Sequence, residues 1–432
     1  MNDRTNRTRL LERNITAIKW FQAFDEPLFW GPILILSLQK LAKMPIQEIY
    51  FMESVTFIVP VSLNALLGAF ADKFGRRKTM VIGQVFNFVS FAGFAFMDSP
   101  AMAWITNMIW AIGYSFKSGA DTSLLHDTLI ELGRESERFK ITGKINAICL
   151  LVSAPCALVA GYLADINLRL PLYISMIPLV IPFVSSRFII EPLHLKRAEA
   201  RKESQLRLLK KGALLVWRSK EVRWIVGFST LITVASKAWF FAYNPYFETV
   251  GVSLPQYGVV FFFLNLFSWF SSHFATEIRQ KIGERGCVAC MVALLGFPVL
   301  VMGLVPWWPL VYLVLLQCLV RGFLSPFAGE FLDRHVEASE IRTTVSSVSS
   351  TFINLGEVVF LWMFGLSMGM CGILSSFIFL GLTILIVGAL QYRTYGKLKV
   401  RKLDHRHGQA QSVDGGCGVL ECELQGQGQP LD

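Results

Sequence analysis

Charge is what this sequence lacks first. Only 17% of its 432 residues are Asp, Glu, Lys or Arg, against roughly 25% in soluble domains. A soluble fold of this length needs far more polar surface, so a soluble globular protein is excluded. Also missing is the loop G-x-x-x-x-G-K-[ST], which argues against direct drive by ATP. No Ser, His and Asp spacing points to a hydrolase, and no zinc pattern stands out. Of the eight Cys, Cys287 and Cys290 form a C-x-x-C with no second pair after it, which reads as packing. No enzyme activity, cofactor or metal is expected. The opening MNDRTNRTRLLERN has neither the apolar core nor the small-residue cleavage site of a signal peptide. The alternating pattern of a membrane β-barrel is absent as well.

What is present is apolar sequence: 53% hydrophobic, 13% aromatic, mean hydropathy +0.49. It falls into repeated runs of about 20 residues, the length that crosses a bilayer as a helix. Backbone groups in lipid must pair within their own segment, which requires helices here. The expectation is an all-α polytopic membrane protein with twelve transmembrane helices. They are placed at about 15–38, 45–70, 79–97, 100–127, 141–164 and 170–190. The second set lies at about 222–243, 255–276, 286–305, 308–331, 343–367 and 371–391. Residues 1–14 form a basic tail, 191–221 a polar linker, and 394–432 a Gly- and Gln-rich tail expected to be disordered.

A net charge of +10 could suggest nucleic acid, but its distribution does not. The twelve spans put about 34 of the 41 Lys and Arg on one set of loops and tails, leaving Lys40, Lys43 and Arg169 on the other. The positive-inside rule then makes both termini cytoplasmic, and no nucleic-acid partner is expected.

The two halves, 15–190 and 222–393, repeat. Gly75 in DKFGRRK matches Gly283 in RQKIGER, an offset of 208, and Asp127 matches Asp333, an offset of 206. Pro32 and Pro245 occupy corresponding places. Two pseudo-symmetric six-helix halves in parallel suggest a transporter with its site at their interface.

The stretch GAFADKFGRRK, residues 68–78, resembles the loop between helices 2 and 3 of the major facilitator superfamily, G-x-x-x-D-x-x-G-R-[KR]-[KR]. Gly68, Asp72, Gly75, Arg76, Arg77 and Lys78 fit it. The second-half copy is degraded, with Gln280 for the acid and Glu284 for the first Arg. The segments SGADTSLLHDTLIELGRE, YNPYFETVGVSLPQYG and RGFLSPFAGEFLDRH resemble a bacterial branch of drug-efflux-like and uncharacterised permeases. Asn64 stands where many members of that branch have Glu, and VSAPCALVAG lacks the helix-5 antiporter fingerprint. The resemblance implies a latch at Asp72 and Arg76 that holds one conformational state, with Asp127 as a second gate element. It also implies a bacterial inner-membrane location and a monomer.

Ionisable residues inside spans cost about 2.5–3.5 kcal/mol on insertion scales, so they usually face a cavity or a partner. Asp25, Glu26 and Glu357 are candidates to carry a coupling proton, with the choice between Asp25 and Glu26 open. Lys117 and Asp121, spaced i, i+4, are expected to neutralise each other. Lys237 and Arg321 either bind an anion or pair with a carboxylate. Asn64, Asn265 and Asn354 complete the candidate cavity. The sequence reads as a proton-coupled secondary transporter in the lipid bilayer that moves a small molecule by alternating access. Export of a hydrophobic or drug-like compound is the first expectation. Uptake of a nutrient or organic anion is the second, and a non-transporting receptor or scaffold the third.

Overall fold

A computed structural model of the chain describes residues 2–192, 214, 217, 219–335 and 339–414. Among the described residues every regular element is helical. The helices are α1 (Asn2–Phe24), α2 (Leu34–Lys40), α3 (Ile46–Phe74), α4 (Arg76–Phe96), α5 (Pro100–Lys117) and α6 (Ala120–Glu131). They continue as α7 (Arg138–Ile166), α8 (Leu170–Ser175), α9 (Ile181–Ser186), α10 (Lys220–Thr249) and α11 (Leu254–His273). The last three are α12 (Ala275–Leu304), α13 (Val314–His335) and α14 (Ser339–Asp414).

These helices make up twelve spans. α12 breaks at Gly283 (φ 73°), and α14 divides into spans 11 and 12 at Gly372 (φ 78°). The pairing of Gly75 with Gly283 is structural as well as sequential, because Gly75 also has a left-handed φ, 99°. A side chain there would strain the backbone, so glycine marks the turn in both halves. Among the described residues seven helices are long and apolar enough to cross a bilayer, α14 counting once for its two spans. Spans 1, 4 and 6 are built from shorter pieces. Span 1 is α1, a 3₁₀ turn at Gly31–Ile33, and α2. Span 4 is α5 with α6, and span 6 is α8 and α9 around a 3₁₀ turn at Pro178–Val180. Pro171, Pro178 and Pro182 sit at the first or second position of those short pieces, where a missing N–H costs least.

Three expectations change here. The basic tail over 1–14 is helical from Asn2; Leu11 and Asn14 are buried, and the Asn14 amide bonds Thr128 and the Ile190 backbone. Span 1 is not a continuous helix, because α1 ends at Phe24 and the segment after it is interrupted by Pro27 and Pro32. The tail from 394 onward is helical to Asp414, since its Lys- and Leu-containing start carries helix formers and no proline. Residues 193–213 of the expected linker and 415–432 of the expected tail lie outside the described residues.

The halves meet at one end through small residues. A Cβ on Gly161 of α7 would lie 2.7 Å from the Leu254 carbonyl of α11, and one on Gly258 would lie 2.6 Å from that of Leu158. Tyr50 of α3 packs edge-on against Phe364 of α14, ring centroids 5.7 Å apart. Glycine at such seams lets two helix backbones approach closely. This closed end lies opposite GAFADKFGRRK. Nearer that stretch lie two cavities, the larger lined by both halves.

Candidate functional site

The first charged cluster lies in the amino-terminal half and grows out of the break in span 1. The residue before a proline is disfavoured in helical conformation, so Glu26 before Pro27 cannot easily continue α1. The break frees the Asp25 carbonyl. It accepts from Lys117 Nζ at 3.0 Å and from the Asn87 amide at 2.9 Å. The same ammonium lies 3.0 Å from Asp25 Oδ2 and 3.5 Å from Glu26 Oε1. Lys117 is 4% exposed, so its ammonium meets the two acids and a backbone dipole from a position closed to water. Of the two acids, the Glu26 side chain is the more open, 46% against 18%.

The expected Lys117–Asp121 pair does not form. α5 stops at Lys117, and Gly119 adopts φ 86° before α6 begins. That kink removes the i, i+4 geometry on which the pairing depended. Asp121 instead accepts from the Gln22 amide and from the Thr122 N–H, each at 2.6 Å.

The second cluster lies in the carboxyl-terminal half. Lys237 of α10 is 3.6 Å from Glu357 Oε2 of α14. Its ammonium also sits 3.7 Å from the ring centroid of Phe57, on α3 of the other half. Glu53, one helical turn before Phe57, is 6% exposed. Lys237 therefore meets a carboxylate of its own half and an aromatic ring of the other. Arg321 of α13 differs. Its guanidinium lies 5.7 Å from the Phe240 ring centroid, and no carboxylate among the described residues is within ion-pair distance of it.

Two cavities flank Arg321. One, about 810 Å³, is lined by Asn146 and Cys149 of α7, Phe261, Asn265 and Ser268 of α11, and Arg321. The other, about 590 Å³, lies between α10, α13 and α14 and includes Lys237, Gln317 and Glu357. They share Phe240, Arg321, Ser325 and Gly329. Asn354 is half-buried and lines neither, and the Asn64 side chain lies outside the described residues.

At the end that carries GAFADKFGRRK, Arg76 is ion-paired with Asp127, both largely buried. Glu191, which carried no signal in the sequence, accepts the Arg77 N–H at 2.7 Å and so caps the start of α4. Arg7 is ion-paired with Glu131 nearby. Gly68 is half-buried in α3, Lys78 is exposed, and the Asp72 carboxylate is exposed with no partner among the described residues. In the adjoining loop Arg134 donates to both Glu137 oxygens, at 2.9 and 2.8 Å, which holds that carboxyl below its ordinary range.

At the closed end the two halves are joined by Asn244 of α10. Its oxygen accepts from the Ile35 and Leu36 N–H groups, at 3.0 and 3.3 Å, and its amide donates to the Pro32 carbonyl at 2.8 Å. Lys40 pairs with Glu248 beside it. Glu53, Asn87, Gln22, Glu191 and Asn244 are thus the site residues that sequence reasoning did not single out.

A family model described as Major Facilitator Superfamily matches residues 20–360. A curated relative from Bacillus subtilis, the uncharacterised MFS-type transporter YxaM, is 24% identical over 221 residues, 50% of this chain and 53% of the relative. An uncharacterised MFS-type transporter of Methanocaldococcus jannaschii is 26% identical over 126 residues, 27% of this chain and 31% of the relative. The matched stretch thus spans about half the length of the first relative and a third of the second. Among solved structures, the nucleoside transporter NupG is similar with TM-score 0.70 at 14% identity, covering 89% of this chain and 99% of that one. A D-xylose-proton symporter is similar with TM-score 0.67 at 15% identity, covering 90% and 97%. At these identities the likeness is one of fold.

Proposed function

The chain belongs to the Major Facilitator Superfamily, and from that premise we propose that it moves a small polar solute by proton-coupled alternating access. It is a multi-pass membrane transporter, and secondary transport is the activity of its family. What supports the coupling is the arrangement of charge: each half carries an ammonium within its spans paired with a carboxylate, and the larger cavity is lined by both halves. A carboxylate in such a pair can take a proton only by giving up its hold on the cation. Protonating Asp25, Glu26 or Glu357 would therefore release Lys117 or Lys237 and change what holds the helices together. The lower polarity of the surroundings makes that exchange matter more than it would in water.

The conformation is open on the side of GAFADKFGRRK, which the charge distribution assigns to the cytoplasm. Alternation requires the seam at Asn244 to part and the opposite end to close. A polar cargo is favoured over a hydrophobic one because Asn146, Asn265, Ser268 and Arg321 line the larger cavity.

The test is flux in proteoliposomes under an imposed pH gradient. Asp25→Asn, Glu26→Gln and Glu357→Gln are each compared with the parent chain. At least one is expected to uncouple flux from the gradient while exchange of solute persists. Gradient-driven flux that survives the triple variant unchanged would remove proton coupling through these groups.

A further inference from the structure

We propose that the solute is a small organic carboxylate and that Arg321 is the group that holds it. The inference rests on the transport reading above and names the cargo of that same cavity.

Three cations are placed well inside spans: Lys117, Lys237 and Arg321. A charge there is costly, and it is normally met by a partner or by water in a cavity. Lys117 has Asp25 and Glu26, and Lys237 has Glu357. Those three acids are committed to the two lysines. Arg321 has no carboxylate within reach among the described residues, and its side chain is exposed to both cavities. The partner that this cation lacks among the described residues is one that the cavity can supply from outside.

The chemistry of the surroundings narrows the class. A guanidinium is planar and offers a fork of N–H donors that fits a carboxylate through two parallel hydrogen bonds. The Phe240 ring supports the charge of Arg321 from one side through its π-face. Phe240 meets Phe261 nearly edge-on, centroids 5.8 Å apart, and both rings reach the larger cavity. An apolar body next to the carboxylate would lie along these rings. Asn146 from one half and Asn265 from the other supply amides for further polar groups of the solute. The volume of about 810 Å³ suits a single small molecule. Because Arg321 belongs to one half and Asn146 to the other, a bound carboxylate would contact both moving parts.

The experiment measures thermal stabilisation of the purified full-length protein in detergent by three matched series: small aromatic and aliphatic carboxylates, their primary amides, and amines of the same carbon skeletons. A ligand that binds the folded state alone raises the melting temperature. Carboxylates are expected to stabilise the parent protein, and the amides and amines are not. Arg321→Gln is expected to weaken the apparent affinity roughly ten- to a hundredfold, and Arg321→Lys less. Each variant is first shown to be monodisperse, with an unliganded melting temperature close to that of the parent. If Arg321→Gln fails that control, Arg321→Lys replaces it, and the loss of carboxylate affinity is then read on that variant. The proposal is overturned if no carboxylate stabilises, if amides or amines stabilise as well, or if the Arg321 variant that passes the control leaves the carboxylate effect unchanged. Alternation is read independently, by labelling at the seam closed by Asn244. The transport reading can therefore stand when the carboxylate assignment falls, and the reverse is also visible.

Discussion

Asn244 and Pro32 are joined across the two halves of the molecule, the Asn244 amide donating to the Pro32 carbonyl at 2.8 Å while its oxygen receives the Ile35 and Leu36 N–H groups. The carbonyl and both N–H groups belong to the stretch where span 1 resumes as a helix after its break. One side chain thus satisfies backbone groups that the break left open. The Asn244 side chain is fully buried, so these bonds have no competition from water.

Because these bonds exist only while this end is closed, Asn244→Ala is expected to shift the protein toward the state open on the opposite side. Three net hydrogen bonds of about 1 kcal/mol each predict a change on the order of a hundredfold in the ratio of states. The readout is labelling of Ile35→Cys, buried in the seam, by a membrane-impermeant maleimide in a background without other reactive cysteines. Faster labelling in the Asn244→Ala protein is the expected result, and an unchanged rate would show that Asn244 does not hold the seam.

Gly75 and Gly283 make a matched pair for substitution. Both have left-handed φ, at 99° and 73°, so alanine is strained at either. A Cβ on Gly75 would also lie 2.8 Å from Glu191 Oε1, whereas one on Gly283 would meet nothing within 4 Å. Gly283→Ala is expected to cost about 1–3 kcal/mol from backbone strain. Gly75→Ala is expected to cost more, because the clash also disturbs the cap on α4. Melting temperatures of both variants, with and without Glu191→Ala, separate the two contributions. Equal losses in all backgrounds would show that the Glu191 contact carries no weight.

The halves, the glycine turn and the helical class were legible in the sequence because each has a signal that repeats or persists over many residues. Lys237 and Glu357 were legible as individual charges in apolar surroundings, and Arg76 and Asp127 through the resemblance of their segments, but their partners were not. Pairing across helices depends on how the spans pack, and one sequence carries no record of that. Two local signals bear on the break in span 1 and the kink in span 4. Pro27 directly after Glu26 disfavours helix at that point, and Ser118-Gly119 marks a turn within span 4. Together they account for the break beside Lys117 and for the failure of the Lys117–Asp121 pair. Asn244 and Glu191 gave no local signal, since a lone polar residue declares its function only when its neighbours are known.

Lys117 is expected to be the most sensitive of the buried cations to removal. Lys117→Met leaves the Asp25 carboxylate without its cation and its carbonyl with one donor fewer. Breaking a buried pair on one side typically costs about 3–5 kcal/mol, whereas replacing both members together costs less. The double variant Lys117→Met with Asp25→Asn should therefore recover part of the stability lost by Lys117→Met alone. A thermodynamic cycle from melting data measures the coupling. Additive losses would show that Lys117 and Asp25 do not act as a pair.

The signature stretch separates into two roles that mutation can distinguish. Arg76 is already engaged, with Asp127, in the conformation that opens on its side. Asp72, four residues earlier, is exposed and has no partner among the described residues. A latch that holds the other state must be unmade in this one, and Asp72 is the group in the right condition for that. Asp127→Asn removes a partner of a largely buried cation and should lower the melting temperature of this state. Asp72→Asn removes nothing this state uses, so its melting temperature should stay near that of the parent while turnover falls, by tenfold or more if closure becomes limiting. Flux in proteoliposomes and melting in detergent give the two numbers side by side. If Asp72→Asn lowers both together, Asp72 is a structural residue here. If it lowers neither, the latch must be sought elsewhere in the stretch.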